Sequence, residues 1–142
     1  MRNILLLLIL VPVISFGQES IKSDCICKDS IVLQKNKDGI YLIEDLPIYP
    51  GGKEAFINYL KANISLTNSI NGKIEISFVI NCTGIACGFE VEEKEGNLTN
   101  KSENSIIEIL KRMENWEPGK QRGREVDCPY GISIEIINGK MI

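Results

Sequence analysis

The chain predicts an α+β fold: a three-stranded antiparallel sheet in the order 2-1-3, with two helices packed on one face and an N-terminal hairpin or arm. Three observations carry this expectation. Residues 73–92 read as two alternating strands around a tight turn. Two segments with apolar residues at helical spacing flank that hairpin. A last alternating strand closes the chain.

The hairpin organises the rest. Ile74, Ile76, Phe78 and Ile80 alternate with Lys73, Glu75, Ser77 and Val79. After Asn81-Cys82-Thr83-Gly84, the residues Ile85, Cys87, Phe89 and Val91 are expected on the inner face, with Ala86, Gly88, Glu90 and Glu92 outside. Directly paired residues share a face, so this assignment requires a loop with an even number of residues.

With 142 residues, the chain is one domain plus whatever its N-terminus adds. Charged residues make up 25% and the net charge is −3, which argues against nucleic acid as partner. Residues 1–17 carry Arg2, an apolar run from Ile4 to Phe16 and a small-x-small site at Ser15-Phe16-Gly17. This is the pattern of a cleaved signal peptide. As a helix the run reaches only about 20 Å, short of a hydrocarbon core of about 30 Å. The chain is therefore expected to be exported, periplasmic or beyond. A membrane association is expected only if the segment is kept as an anchor.

Residues 18–44 form the N-terminal arm or hairpin and hold Cys25 and Cys27. Residues 31–33 and 40–43 are apolar and flank a turn sequence, which suits either form. Residues 45–142 form the domain proper. Leu46-Pro47-Ile48-Tyr49-Pro50-Gly51-Gly52 is a turn-rich approach to a helix over 53–63, whose stripe is Ala55, Phe56, Tyr59 and Leu60. The second helix is expected from Ser102 or Glu103 to Glu114, capped by Ser102 or Asn100, with Ile106, Ile107, Leu110 and Met113 as its stripe. A loop over 115–124 surrounds the only Trp, and the last strand runs over 126–137.

The five Cys favour disulfides in an exported chain. Strand order 2-1-3 places the end of the first strand beside the start of the last. One disulfide is therefore expected among Cys82, Cys87 and Cys128, with Cys82–Cys128 favoured, leaving Cys25 and Cys27 poorly paired or free. There is no His. That removes the commonest general base, the Ser-His-Asp arrangement and mixed zinc sites. No enzyme activity, cofactor or metal is expected.

Pro47-Ile48-Tyr49-Pro50-Gly51-Gly52, then a helix, then Gly72-Lys73-Ile74 opening a strand that leads to Asn81 and Gly84, then Trp116-Glu117-Pro118-Gly119-Lys120, then Gly123 and a last strand: this pattern resembles the TonB C-terminal domain as it occurs in Bacteroidetes. The likeness covers residues 45–137. The resemblance implies helices on an antiparallel sheet, with Pro47, Pro50, Gly51, Gly52, Gly84, Trp116, Pro118 and Gly123 as structural positions. It also implies a protein partner, an outer-membrane receptor peptide or another periplasmic protein. A full energy transducer adds a permanent anchor and a proline-rich spacer, whereas only Pro47, Pro50, Pro118 and Pro129 follow Gly17.

The strand order leaves two edges. Glu90, Glu92 and Glu93 blunt one of them. The last strand is long, β-branched and lightly charged. It is expected to add a partner strand along Tyr130, Ile132, Ser133, Ile134, Glu135 and Ile136, as the same edge does in the family it resembles. A homodimer, or the arm, is the competing cover for this edge.

Overall fold

The structure is a computed structural model that describes residues 25–27 and 43–142. The expected signal peptide lies outside the described residues, as does the expected arm or hairpin over 18–44 apart from residues 25–27, 43 and 44. Eight elements follow in order: α1 (Gly52–Asn63), β1 (Gly72–Ile80), β2 (Ala86–Gly96), α2 (Asn100–Lys111), β3 (Gly119–Gln121), β4 (Arg124–Val126), β5 (Cys128–Ile137) and β6 (Lys140–Met141). The main sheet has the order β2-β1-β5-β6, all antiparallel, and β3-β4 forms a separate small hairpin.

The expected class and central strand hold, with β1 between β2 and β5. The sheet has four strands rather than three, because Asn138-Gly139 turns the chain back as β6. Both turn residues have positive φ, 50° and 75°, the geometry of the tight turn that best matches sheet twist. Arg122-Gly123, at φ 51° and 71°, does the same between β3 and β4. The stretch expected as a loop over 115–124 thus contains most of a hairpin, and the last strand starts at Cys128 rather than Val126.

Even-numbered residues of β1 point to the core, as the alternation requires: Ile74, Ile76, Phe78 and Ile80 are all at most 2% exposed. Ile134 and Ile136 of β5 join them. Phe56 and Leu60 of α1 and Ile106, Ile109 and Leu110 of α2 close the same cluster, so both helices cover one face. The Tyr59 hydroxyl donates to the Ile109 carbonyl at 2.8 Å and ties α1 to α2. Thr99 caps α2, its hydroxyl accepting from the Ser102 N–H, in place of the expected Ser102 or Asn100. Glu103 then stands in the first turn, where Lys94 of β2 meets it at 2.8 Å. The helix ends at Lys111, one turn earlier than expected.

The β1–β2 hairpin corrects the face assignment. Ile80 pairs with Ala86, and Val79 with Cys87. Ala86 therefore packs on the core and Cys87 lies on the outer face, while Ile85 is 49% exposed in the turn. A register shift follows between Ser77 and Val79, where β2 carries an extra residue at Gly88 (φ 67°). That bulge restores Phe89 and Val91 to the core side. Even loop parity was required only for an unbulged strand. The chain instead closes an odd loop, with the Asn81 N–H donating to the Ile85 carbonyl at 2.9 Å, and resets its parity at Gly88.

Candidate functional site

The face and edge of β5 follow from its two neighbours. In a two-residue hairpin, the flanking residues exchange both main-chain bonds, and bonded positions then recur every second residue. Ile137 pairs with Lys140 across the turn, and the Ile142 N–H donates to the Glu135 carbonyl at 3.1 Å. Odd-numbered residues of β5 thus aim their N–H and C=O groups at β6. Even-numbered residues aim theirs at β1.

β6 ends at Met141, so it covers only the last part of β5. Beyond it, Gly131 and Ser133 present N–H and C=O groups to no other strand among the described residues. Pro129 has the same parity and lacks a donor, and its carbonyl takes the Cys128 thiol at 3.4 Å. The edge expected along the whole strand is therefore shorter. Glu135 is already bonded and Ile136 is covered by Met141.

Ile134 is buried at 0% exposure, and its N–H belongs to the β1 ladder, so it is a core position and not an edge donor. Tyr130 and Ile132 are half-buried on the helical side of the edge. Glu135 and Ser133 are exposed on the other face. The opposite sheet edge is different. β2 carries two bulges, and Glu90, Glu92, Glu93 and Glu95 lie along it. Bulges and charges both discourage strand addition.

The positions that carry the resemblance lie in the approach to α1, in the β1–β2 turn and around β3 and β4. Ile48 and Glu117 exchange main-chain bonds of 2.9 and 2.8 Å, and Asp45 and Lys120 do the same at 3.1 and 2.8 Å. Pro47 is buried between them. Gly51 stands at φ 83° before α1, Gly52 is its first residue, and Pro50 is exposed. Pro118 is half-buried beside β3, and Gly123 sits in the β3–β4 turn. Trp116 docks on the β1–β2 turn, its N–H donating to the Gly84 carbonyl at 2.7 Å.

Of these positions, Trp116 reaches the edge through aromatic packing. The Trp116 ring lies 4.9 Å from Tyr130, 5.1 Å from Phe56 and 5.3 Å from Tyr49, all near edge-to-face. Phe78 meets Tyr130 at 5.3 Å from the other side. Burial, and then the neighbouring Cys128 thiol, hold the Tyr130 hydroxyl above its ordinary pKa. Tyr130 is thus a neutral, fixed ring at the border of the open edge.

The cysteines do not pair as expected. The disulfides are Cys25–Cys87 and Cys27–Cys82, with Cα separations of 5.8 and 6.2 Å. Cys128 stays a buried free thiol, so no bond forms within the Cys82, Cys87, Cys128 trio. The strand order did bring residue 82 beside the start of β5, but Cys128 points to the core, 1% exposed, and Asp127 meets the turn instead. One Asp127 carboxylate oxygen accepts the Cys82 N–H at 2.8 Å and the other accepts the Cys27 N–H at 3.0 Å.

Asn81 completes this clip. It is 8% exposed. Its amide donates to the Cys25 carbonyl at 3.2 Å, and its oxygen accepts from Thr83 and from the Ile85 N–H. Cys27, Cys82 and Asp127 also bring potential metal-ligand atoms within 4.8 Å of one another. Here the two sulfurs are bonded to each other and the carboxylate holds two backbone N–H groups, so the cluster serves the clip.

No family model, curated protein or solved structure matches this chain.

Proposed function

We propose that the chain is an exported protein-binding module, similar in plan to the TonB C-terminal domain, that takes an extended peptide of a periplasmic or outer-membrane protein as an added strand on β5. The observation that carries this reading is the main chain at Gly131 and Ser133, which no strand covers among the described residues. It lies between the donor-less Pro129 and the part of β5 that β6 already covers. The stretch is short, exposed and free of bulges, and Tyr130 and Ile132 flank it with apolar surface. An added strand gains main-chain bonds from the first feature and side-chain contacts from the second.

Two disulfides support export to an oxidising compartment. Among the described residues, no helix is long and apolar enough to cross a membrane.

The test is selection of displayed random peptides on the wild-type chain, followed by binding to Ser133→Pro. The Ser133 N–H faces outward, so proline removes an edge donor and no bond to β1. Selected peptides are expected to bind in extended form and to lose at least about tenfold in affinity, one to two strong main-chain bonds. Peptides that bind the folded variant with unchanged affinity would place the site elsewhere.

A further inference from the structure

The disulfide connectivity is independent of any strand added to β5. The pairs are nested: Cys25 joins Cys87, and Cys27 joins Cys82, across sequence separations of 62 and 55. The near neighbours in the chain, Cys25 with Cys27 and Cys82 with Cys87, are not bonded to each other. Only four residues separate Cys82 from Cys87. In an unfolded chain, closing that short loop is favoured over closing the native ones on the order of 30-fold, because contact probability falls as the three-halves power of loop length.

Nothing local selects the native pairs. What selects them is tertiary: the Asn81 amide holds the Cys25 carbonyl, and Asp127 gathers the N–H groups of Cys27 and Cys82. Each of these contacts exists only once β1, β2 and β5 are assembled.

We infer that disulfide isomerisation is a step between oxidation of this chain and its native fold, and that its processing partner is a thiol–disulfide isomerase. Oxidation that starts at the shorter favourable loop closes Cys82–Cys87 and leaves Cys25 and Cys27, a poor pair, to close the second bond with each other. A catalyst thiolate then attacks the Cys82 sulfur, forming a mixed disulfide and releasing Cys87 as thiolate. Cys87 attacks the Cys25 sulfur, forming Cys25–Cys87 and releasing Cys27. Cys27 attacks Cys82 in the mixed disulfide, forming Cys27–Cys82 and returning the catalyst thiolate. Two disulfides enter and two leave, with no net oxidation.

The test uses the full chain carrying Cys128→Ser, which removes the odd thiol as an internal catalyst. The reduced, denatured protein is returned to native buffer with a thiol-free diazene oxidant, and its pairs are mapped by proteolysis and mass spectrometry. The expected product contains Cys82–Cys87, with native pairs below about one molecule in ten, from the loop-closure ratio. A catalytic amount of a reduced dithiol then converts it to Cys25–Cys87 and Cys27–Cys82 at a constant number of disulfides. Cys128→Ala run in parallel guards against a folding defect peculiar to serine. Full yield of native pairs from either variant before any thiol is added would overturn the inference, because folding would then precede and direct oxidation. Failure of the dithiol to convert the mispaired product of both variants would overturn it as well.

Discussion

Gly84 and Trp116 are locked together at the main chain: the Trp116 N–H donates to the Gly84 carbonyl at 2.7 Å, and a Cβ on Gly84 would lie 2.0 Å from the Trp116 carbonyl oxygen. Gly84 also stands at φ 82°. Space and backbone thus both demand glycine here. Gly84→Ala is expected to destabilise the domain by about 2–4 kcal/mol, the range for a forced shift of packed backbone. Gly123 has a similar φ of 71° with open space around it. Gly123→Ala should cost only about 1–2 kcal/mol, the left-handed penalty alone. Denaturant midpoints of the two variants give the comparison.

Trp116 is 4% exposed and its indole N–H has no hydrogen-bond partner among the described residues. Its contribution is therefore packing against Tyr49, Phe56 and Tyr130. Trp116→Ala is expected to cost about 3–5 kcal/mol. Trp116→Phe leaves no donor stranded and should cost less than half as much. Equal losses in the two variants, read from urea unfolding, would show that the N–H matters.

Asp127 acts through the clip. Asp127→Asn turns one acceptor toward a backbone N–H into a donor, so it should destabilise the oxidised protein by about 1–3 kcal/mol. In the reduced protein, residues 25–27 are no longer held, and the penalty should shrink. Unfolding of wild type and variant, each with and without reductant, measures that coupling directly.

Burial pushes the Cys128 thiol up to about 11 from 9.0. The folded state thus holds this proton more tightly than the unfolded chain does. The contribution is fully present below pH 9.0 and is lost as pH rises toward about 11. Wild type should lose stability relative to Cys128→Ala across that window, by at most about 1 kcal/mol per pH unit. Tyr130 is present in both proteins, so its own raised pKa largely cancels. Parallel stability curves between pH 8 and 11 would show that Cys128 does not titrate with folding.

The legible parts of this fold are those set by local pattern. Ile74, Ile76, Phe78 and Ile80 announce a one-faced strand, and the core uses them so. The stripe of α1 is equally plain, whereas that of α2 is only partly so. Ile106 and Leu110 are buried as expected, but Ile109 is buried too and Met113 lies past the end of the helix. The capping role of Thr99 is hidden by the polar residues just after it. The Gly88 bulge was not legible, because an even loop and an odd loop followed by a bulge place Phe89 and Val91 on the same face. β6 was within reach: Asn138-Gly139 between Ile137 and Lys140-Met141 is a strong turn signal, and the strand it starts shortens the candidate edge from the whole of β5 to Gly131 and Ser133. The disulfides were out of reach. Cys25 and Cys27 lie more than fifty residues from their partners, and Asn81 and Asp127, assembled in space, hold them there.

Among the described residues, β5 keeps an open edge at Gly131 and Ser133 beside the part that β6 covers. Amide hydrogen exchange of the intact chain, read residue by residue by NMR, tests it without any partner. The N–H groups of Ile132 and Ile134 bond β1 and should exchange slowly, near the global unfolding limit. Those of Gly131 and Ser133 should exchange at least about a hundredfold faster, as exposed edge donors do. Equal, strong protection at all four positions in the free protein would mean that the edge is already covered, and would contradict the proposed site.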